Sequence, residues 1–134
     1  MVRRRGQSMV EFALLVPVFV LLVFGMVDLG LAVFTYGTLT HGTQTAAGYA
    51  SLHCSYTGTS YTLAQLGQQV IQAATLLQAP NLTLTATAAS ACTAPGTPIT
   101  VTSTYLYHPV TPMLQAFVPQ GGLPLQTTAQ VLAQ

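Results

Sequence analysis

The chain has 134 residues, of which 51% are apolar, and its formal charges are three cations and two acids. That length gives room for one small domain and one anchor. So few charges on so apolar a chain exclude charge-driven disorder, and a single N-terminal basic cluster argues against nucleic-acid binding, which needs cations placed against phosphates.

The charges are Arg3, Arg4, Arg5, Glu11 and Asp28, and none follows. Phe12 to Phe34 reads FALLVPVFVLLVFGMVDLGLAVF. Its length of about 23 residues suffices to cross a hydrocarbon core of about 30 Å. With Arg3, Arg4 and Arg5 before the span and no cation after it, the positive-inside rule predicts a cytoplasmic N-terminus and an outside C-terminus. A cleaved secretory signal fits less well. The run is too long, and the nearest small-residue cluster, Ala46-Ala47-Gly48, comes late.

Pro17 is expected to bend the span, which membrane helices tolerate. Beyond it, Ala32, Tyr36, Leu39, Thr43, Ala46, Ala50 and His53 recur at alternating steps of four and three, so the helix is predicted to continue to about residue 53. Gly37, Gly42 and Gly48 weaken that segment in isolation, so packing must hold it. A second helix follows, capped by Ser60 or Thr62, with Leu63, Leu66, Val70, Ala74 and Leu77 on one face and Pro80-Asn81 ending it. Period-two alternation predicts strands over Leu82–Ala88, Ile99 to about Tyr107, and about Leu125 to Leu132. The fold class is therefore α+β: a long N-terminal helix running into a head with a second helix and a three-stranded antiparallel sheet.

Cys54 and Cys92 both fall outside the membrane in this topology, and an even pair in an oxidising compartment points to a disulfide, with buried free thiols as the alternative. No catalytic residues are assigned. Acid–base chemistry outside the membrane has only His41, His53, His108, tyrosines and the cysteines to draw on, and neighbours such as His53 and Cys54 on a helix point apart. His41 and His53 diverge by roughly 120° around a helix, which disfavours a metal site. His108, before Pro109, reads as a turn residue. No cofactor or metal is expected.

The residues at the membrane entry carry a sharper signal. Arg3-Arg4-Arg5-Gly6-Gln7-Ser8-Met9-Val10-Glu11-Phe12 is a basic leader, a glycine, four residues, and a glutamate at the edge of an apolar helix. This resembles the processing site of type IV prepilins, and more closely the TadE-like pseudopilins of the Tad (Flp) pilus system. The likeness extends through Gly25-Met26-Val27-Asp28-Leu29-Gly30 and on to Tyr36, Leu39, Ala46, Ala47 and Tyr49, with Leu29 in place of the usual aromatic and Leu31 in place of a frequent arginine. It covers roughly residues 3–52.

The resemblance implies cleavage between Gly6 and Gln7 by a prepilin peptidase, so that residues 1–6 are a leader, 7–53 a long helix spanning the membrane at about 12–34, and 54–134 an extracytoplasmic head. It implies as partners other pilin or pseudopilin subunits and a Tad-type assembly platform, and as function a minor pilin in fibre biogenesis or adherence. Gly6, without a side chain, suits a backbone that extends into a protease cleft. Glu11 then becomes a candidate to pair with the α-amine of Gln7 on a neighbouring subunit. Alternatively it rests in the interface at the positive end of the helix dipole. Asp28, about 24 Å along the helix from Phe12, either reaches the headgroups or makes an interhelical polar contact. The competing reading is an unprocessed single-span envelope protein whose head binds a partner.

Overall fold

The computed structural model describes residues 4–54, 61–74, 77–87, 96–116, 118 and 122–133. Helix α1, Arg4–His53, is unbroken over 50 residues and contains Pro17. At 1.5 Å per residue it is about 75 Å long. Its lower part is apolar on every side, and residues 7 to 24 are all exposed. Above residue 34 the composition changes to threonine and small residues. Thr35, Thr40, Thr43 and Thr45 each donate their hydroxyl to the carbonyl four residues back, at 2.7 to 3.0 Å. Those bonds satisfy β-branched hydroxyls within the helix, where they would otherwise compete for backbone groups.

The upper helix is held by packing. Leu39, Ala46, Ala47 and Ala50 are fully buried against the head, as is Thr43. Thr43 Oγ1 also lies 2.9 Å from Ser103 Oγ, so the two buried hydroxyls pair across the core. Helix α2, Leu63–Ala73, begins with a capping box. Thr62 accepts from the Gln65 amide while the Gln65 side chain accepts from the Thr62 amide at 2.9 Å. It packs against α1 through Leu66 and Val70, close to Gly42. A Cβ on Gly42 would sit 3.0 Å from both Val70 Cγ1 and the Val70 carbonyl oxygen, so the missing side chain sets the helix spacing.

Helix α2 ends sooner than its apolar spacing predicts. Ala74 leaves helical geometry, and the Leu77 amide donates to the Ala74 carbonyl at 3.0 Å. Leu77 is still buried, at 4% exposure, so the period continues into the core without a helix beneath it. Pro80 and Asn81 belong to a 3₁₀ turn, Ala79–Asn81, that leads into the first strand.

Strands β1 (Leu82–Ala86), β2 (Pro98–Tyr107) and β3 (Leu123–Leu132) form an antiparallel sheet in the order β1-β2-β3. This is the α+β arrangement that the sequence predicts. Register sets Leu84 opposite Ser103 and Ser103 opposite Thr127, and sets Val101 opposite Ala86 and Ala129. These residues share the inner face with Ile99, Tyr105 and Tyr107, against α1 and α2. The outer face carries Thr85, Thr102 and Thr128 in one row and Thr83, Thr104 and Gln126 in the next. Thr102 and Thr128 bring their hydroxyls within 3.2 Å.

Candidate functional site

The lower half of α1 is an unsheltered apolar rod. Phe12, Leu14, Leu15, Phe19 and Leu22 are each about two-thirds exposed, and no part of the most apolar stretch is buried by the head. A water-soluble fold does not leave such a surface bare; a lipid or protein environment must cover it. By length and composition this is a helix able to cross a membrane, and one such N-terminal helix suggests a single-pass membrane protein.

The predicted processing and assembly residues lie along this rod. Gly6 and Gln7 fall within α1 in the uncleaved chain. The reason is local. The basic stretch that enters the apolar run has no turn residue to stop the helix, and Gly6 alone lowers its stability by only about 1 kcal/mol. Glu11 is exposed on the rod. Arg4 and Arg5 lie in the first turn, and Arg3 falls outside the described residues.

Asp28 finds partners within its own chain. It is buried, at 4% exposure, at the foot of the head. Its two carboxylate oxygens accept from the backbone amides of Val110 and Thr111, each at 3.1 Å. The Tyr107 hydroxyl donates to the Asp28 carbonyl at 3.3 Å. These partners come from the chain's own head. One carboxylate clasps the loop between β2 and the helical turn Pro112–Gln115. Gln115 closes the loop on itself through a 2.8 Å bond to the Pro109 carbonyl. Burial pushes the Tyr107 phenol above its ordinary pKa, and the nearby Asp28 charge pushes it the same way.

Beside the clasp lies an apolar groove of about 260 Å³, where Gly25, Leu29 and Ala32 of α1 meet Pro109, Val118 and Leu123 of the head. Gly122 forms the entrance to β3 at φ 82°, a left-handed conformation that glycine adopts freely. A Cβ there would meet the Tyr107 carbonyl oxygen at 2.8 Å. The end of β2, the clasp loop and the start of β3 therefore converge on Asp28.

Cys54 is buried at the top of α1, at 2% exposure, and is not a free thiol. Cys92 lies outside the described residues. His53 stacks on Tyr49, with ring centroids 3.8 Å apart, and its Nδ1 lies 2.9 Å from the Tyr49 carbonyl. His41 is exposed on α1, and His108 is exposed just after β2. Sequence reasoning missed the part of Val110 and Thr111, because they act through main-chain amides. The available signal was a pair of free N–H groups between Pro109 and Pro112, both of which lack one.

Residues 6–48 match the model of a family described as TadE-like protein. No curated protein matches the chain, and no solved structure matches it. The matched segment starts at Gly6, includes Glu11 and Asp28, and ends within the packed part of α1. Residues 6–48, a minority of the chain, are thus similar to TadE-like proteins, and they include most of the helix able to cross a membrane.

Proposed function

We propose that this chain is a minor pilin or pseudopilin of a Tad/Flp-type pilus, acting in fibre assembly or as a fibre component used in adherence. A prepilin peptidase cuts between Gly6 and Gln7, the N-terminus faces the cytoplasm, and the head lies outside. The Glu11 carboxylate pairs with the new α-amine of a neighbouring subunit, and Cys54 bonds Cys92. The protein works by packing rather than catalysis, with other pilin subunits and the assembly platform as partners.

The observation that carries this reading is the coincidence of the family match with the bare apolar rod, Glu11 included. A rod this apolar suits both storage in a membrane and transfer into a helical bundle, where neighbouring rods replace lipid. The helical state of Gly6 is compatible with cleavage, since opening one unpacked turn costs little beside the binding energy of a protease cleft. Val33 and Tyr36, exposed on α1 above the rod, extend that packing surface upward.

The test is the intact mass of the protein extracted from membranes of cells with and without the peptidase. Loss of residues 1–6 only where the peptidase is present supports the reading. A leader retained in both, with pilus assembly intact, refutes it. Gly6→Leu is expected to abolish the cleavage, while Glu11→Ala is expected to leave cleavage intact and lower incorporation into fibres.

A further inference from the structure

The geometry points to Asp28 as the membrane boundary, with the foot of the head as a lipid-contacting surface that rests on the leaflet on its own side. This rests on the single-span reading above. It replaces a span reaching Phe34 with one ending at about Val27.

Three observations carry it. First, a span continuing to Phe34 would submerge the clasp. Asp28, Val110, Thr111, the end of β2 and the start of β3 would lie about 9 Å inside the hydrocarbon, counted along the helix from residue 28 to 34. Strand ends and a loop backbone have no place there, because their amides and carbonyls would lose water without gaining partners.

Second, the two acids of the helix bracket the rod at a suitable spacing. Glu11 and Asp28 are about 26 Å apart along α1, close to the roughly 30 Å hydrocarbon core, and every residue from 12 to 24 between them is apolar and exposed. An acid at a lipid boundary is costly unless its charge is satisfied, and Asp28 is satisfied by two amides from the head.

Third, the foot of the head is itself apolar and continuous with the rod. Val110 is 69% exposed on the clasp loop, Leu123 is 40% exposed at the start of β3, and Leu29 is 67% exposed beside them. The groove between head and helix is lined by Leu29 and Leu123, next to the loop that carries Val110. The occupant that fits is the acyl and glycerol region of the lipid already in contact with Phe24 and Met26 just below, and not a separate protein. Val33 and Phe34, both exposed on α1, then stand clear of the lipid.

The chain contains no tryptophan, so single substitutions give a clean optical probe. Val18→Trp, Val110→Trp and Phe34→Trp variants of the full chain would be reconstituted at low protein-to-lipid ratio in phosphatidylcholine vesicles with brominated acyl chains. Trp at 18 should be quenched by bromine deep in the chain. At 110 it should be quenched by bromine near the glycerol and protected from aqueous iodide. At 34 it should be reached by iodide. Position 110 open to iodide and untouched by bromine overturns the lipid-contacting foot while leaving the span intact. Positions 34 and 110 quenched as deeply as 18 overturn the boundary at Asp28. No bromine quenching at 18 removes the single-span reading, and this inference with it. Leu123→Trp reads the same surface from β3, with the same outcomes as 110, should the loop variant fail to fold.

Discussion

Replacing Asp28 with asparagine tests the clasp most directly. The carboxylate accepts two amide bonds of 3.1 Å, one on each oxygen. Hydrogen bonds to a charged group contribute about 1.5–3 kcal/mol each, and at the thinly covered foot of the head the lower figure applies, which gives about 3 kcal/mol for the pair. Asparagine keeps one acceptor and turns its NH₂ toward the other amide, so one neutral bond of about 1 kcal/mol survives and the net loss is about 2 kcal/mol. Hydrogen exchange read by NMR in nanodiscs reports this locally. A loss of 2 kcal/mol is roughly a 30-fold faster exchange at Val110 and Thr111, at 1.4 kcal/mol per tenfold. The amides of Val101 and Ser103, mid-sheet, should slow or quicken far less. Asparagine-variant amides at 110 and 111 that exchange within about twofold of the wild type would refute the clasp as a stabilising contact.

Gly42→Ala should lower head stability by about 1 kcal/mol in thermal unfolding, since overpacking against a backbone oxygen outweighs the gain in helix propensity. Gly48→Ala, with nothing within 4 Å of its would-be Cβ, should instead stabilise by up to about 1 kcal/mol; the same sign at both positions would contradict the packing described for α1 and α2. Reduction, or Cys92→Ser, should cost about 4 kcal/mol on the chain-entropy view of a loop of about 38 residues, measured as the denaturation midpoint with and without reductant. Tyr61 and Tyr107 both have phenol pKa values raised by burial, so the stability they contribute is complete below the ordinary tyrosine value of about 10 and is lost as pH rises through their folded values. The melting temperature should therefore fall on the alkaline side, and less steeply in Tyr61→Phe, whose wild-type hydroxyl is buried without a hydrogen-bond partner among the described residues.

The elements were readable wherever a period or a cap declared them. Thr62, one of the two caps expected, starts α2, and the alternation read over Leu82–Ala88 and Ile99–Tyr107 marks strands, Leu82–Ala86 and Pro98–Tyr107, whose inner residues do face the helices. The end of α2 was not readable, because Ala74 and Leu77 keep the helical spacing and reach the same core although both lie past Ala73, where the helix ends. Residues 6–48 were legible through Gly6, Glu11 and the apolar run, since hydropathy and spacing are written in side chains. The clasp was not. The sequence left Asp28 between the headgroups and a neighbouring helix, because its intrachain partners are two main-chain amides 82 and 83 residues away, and a backbone donor leaves no mark in the residue code.

The outer face of the sheet, with its rows of threonine and glutamine, has a kinetic consequence. From Leu29 onward the chain carries no formal charge, so the head projects no field into solution. Whatever meets that face arrives by undirected diffusion, without the 10- to 1000-fold acceleration that charged clefts give their ligands. Recognition there rests on short-range fit among hydroxyls, amides and water. Its rate and strength should be nearly the same in fresh water as in brine, because there is no charge for salt to screen.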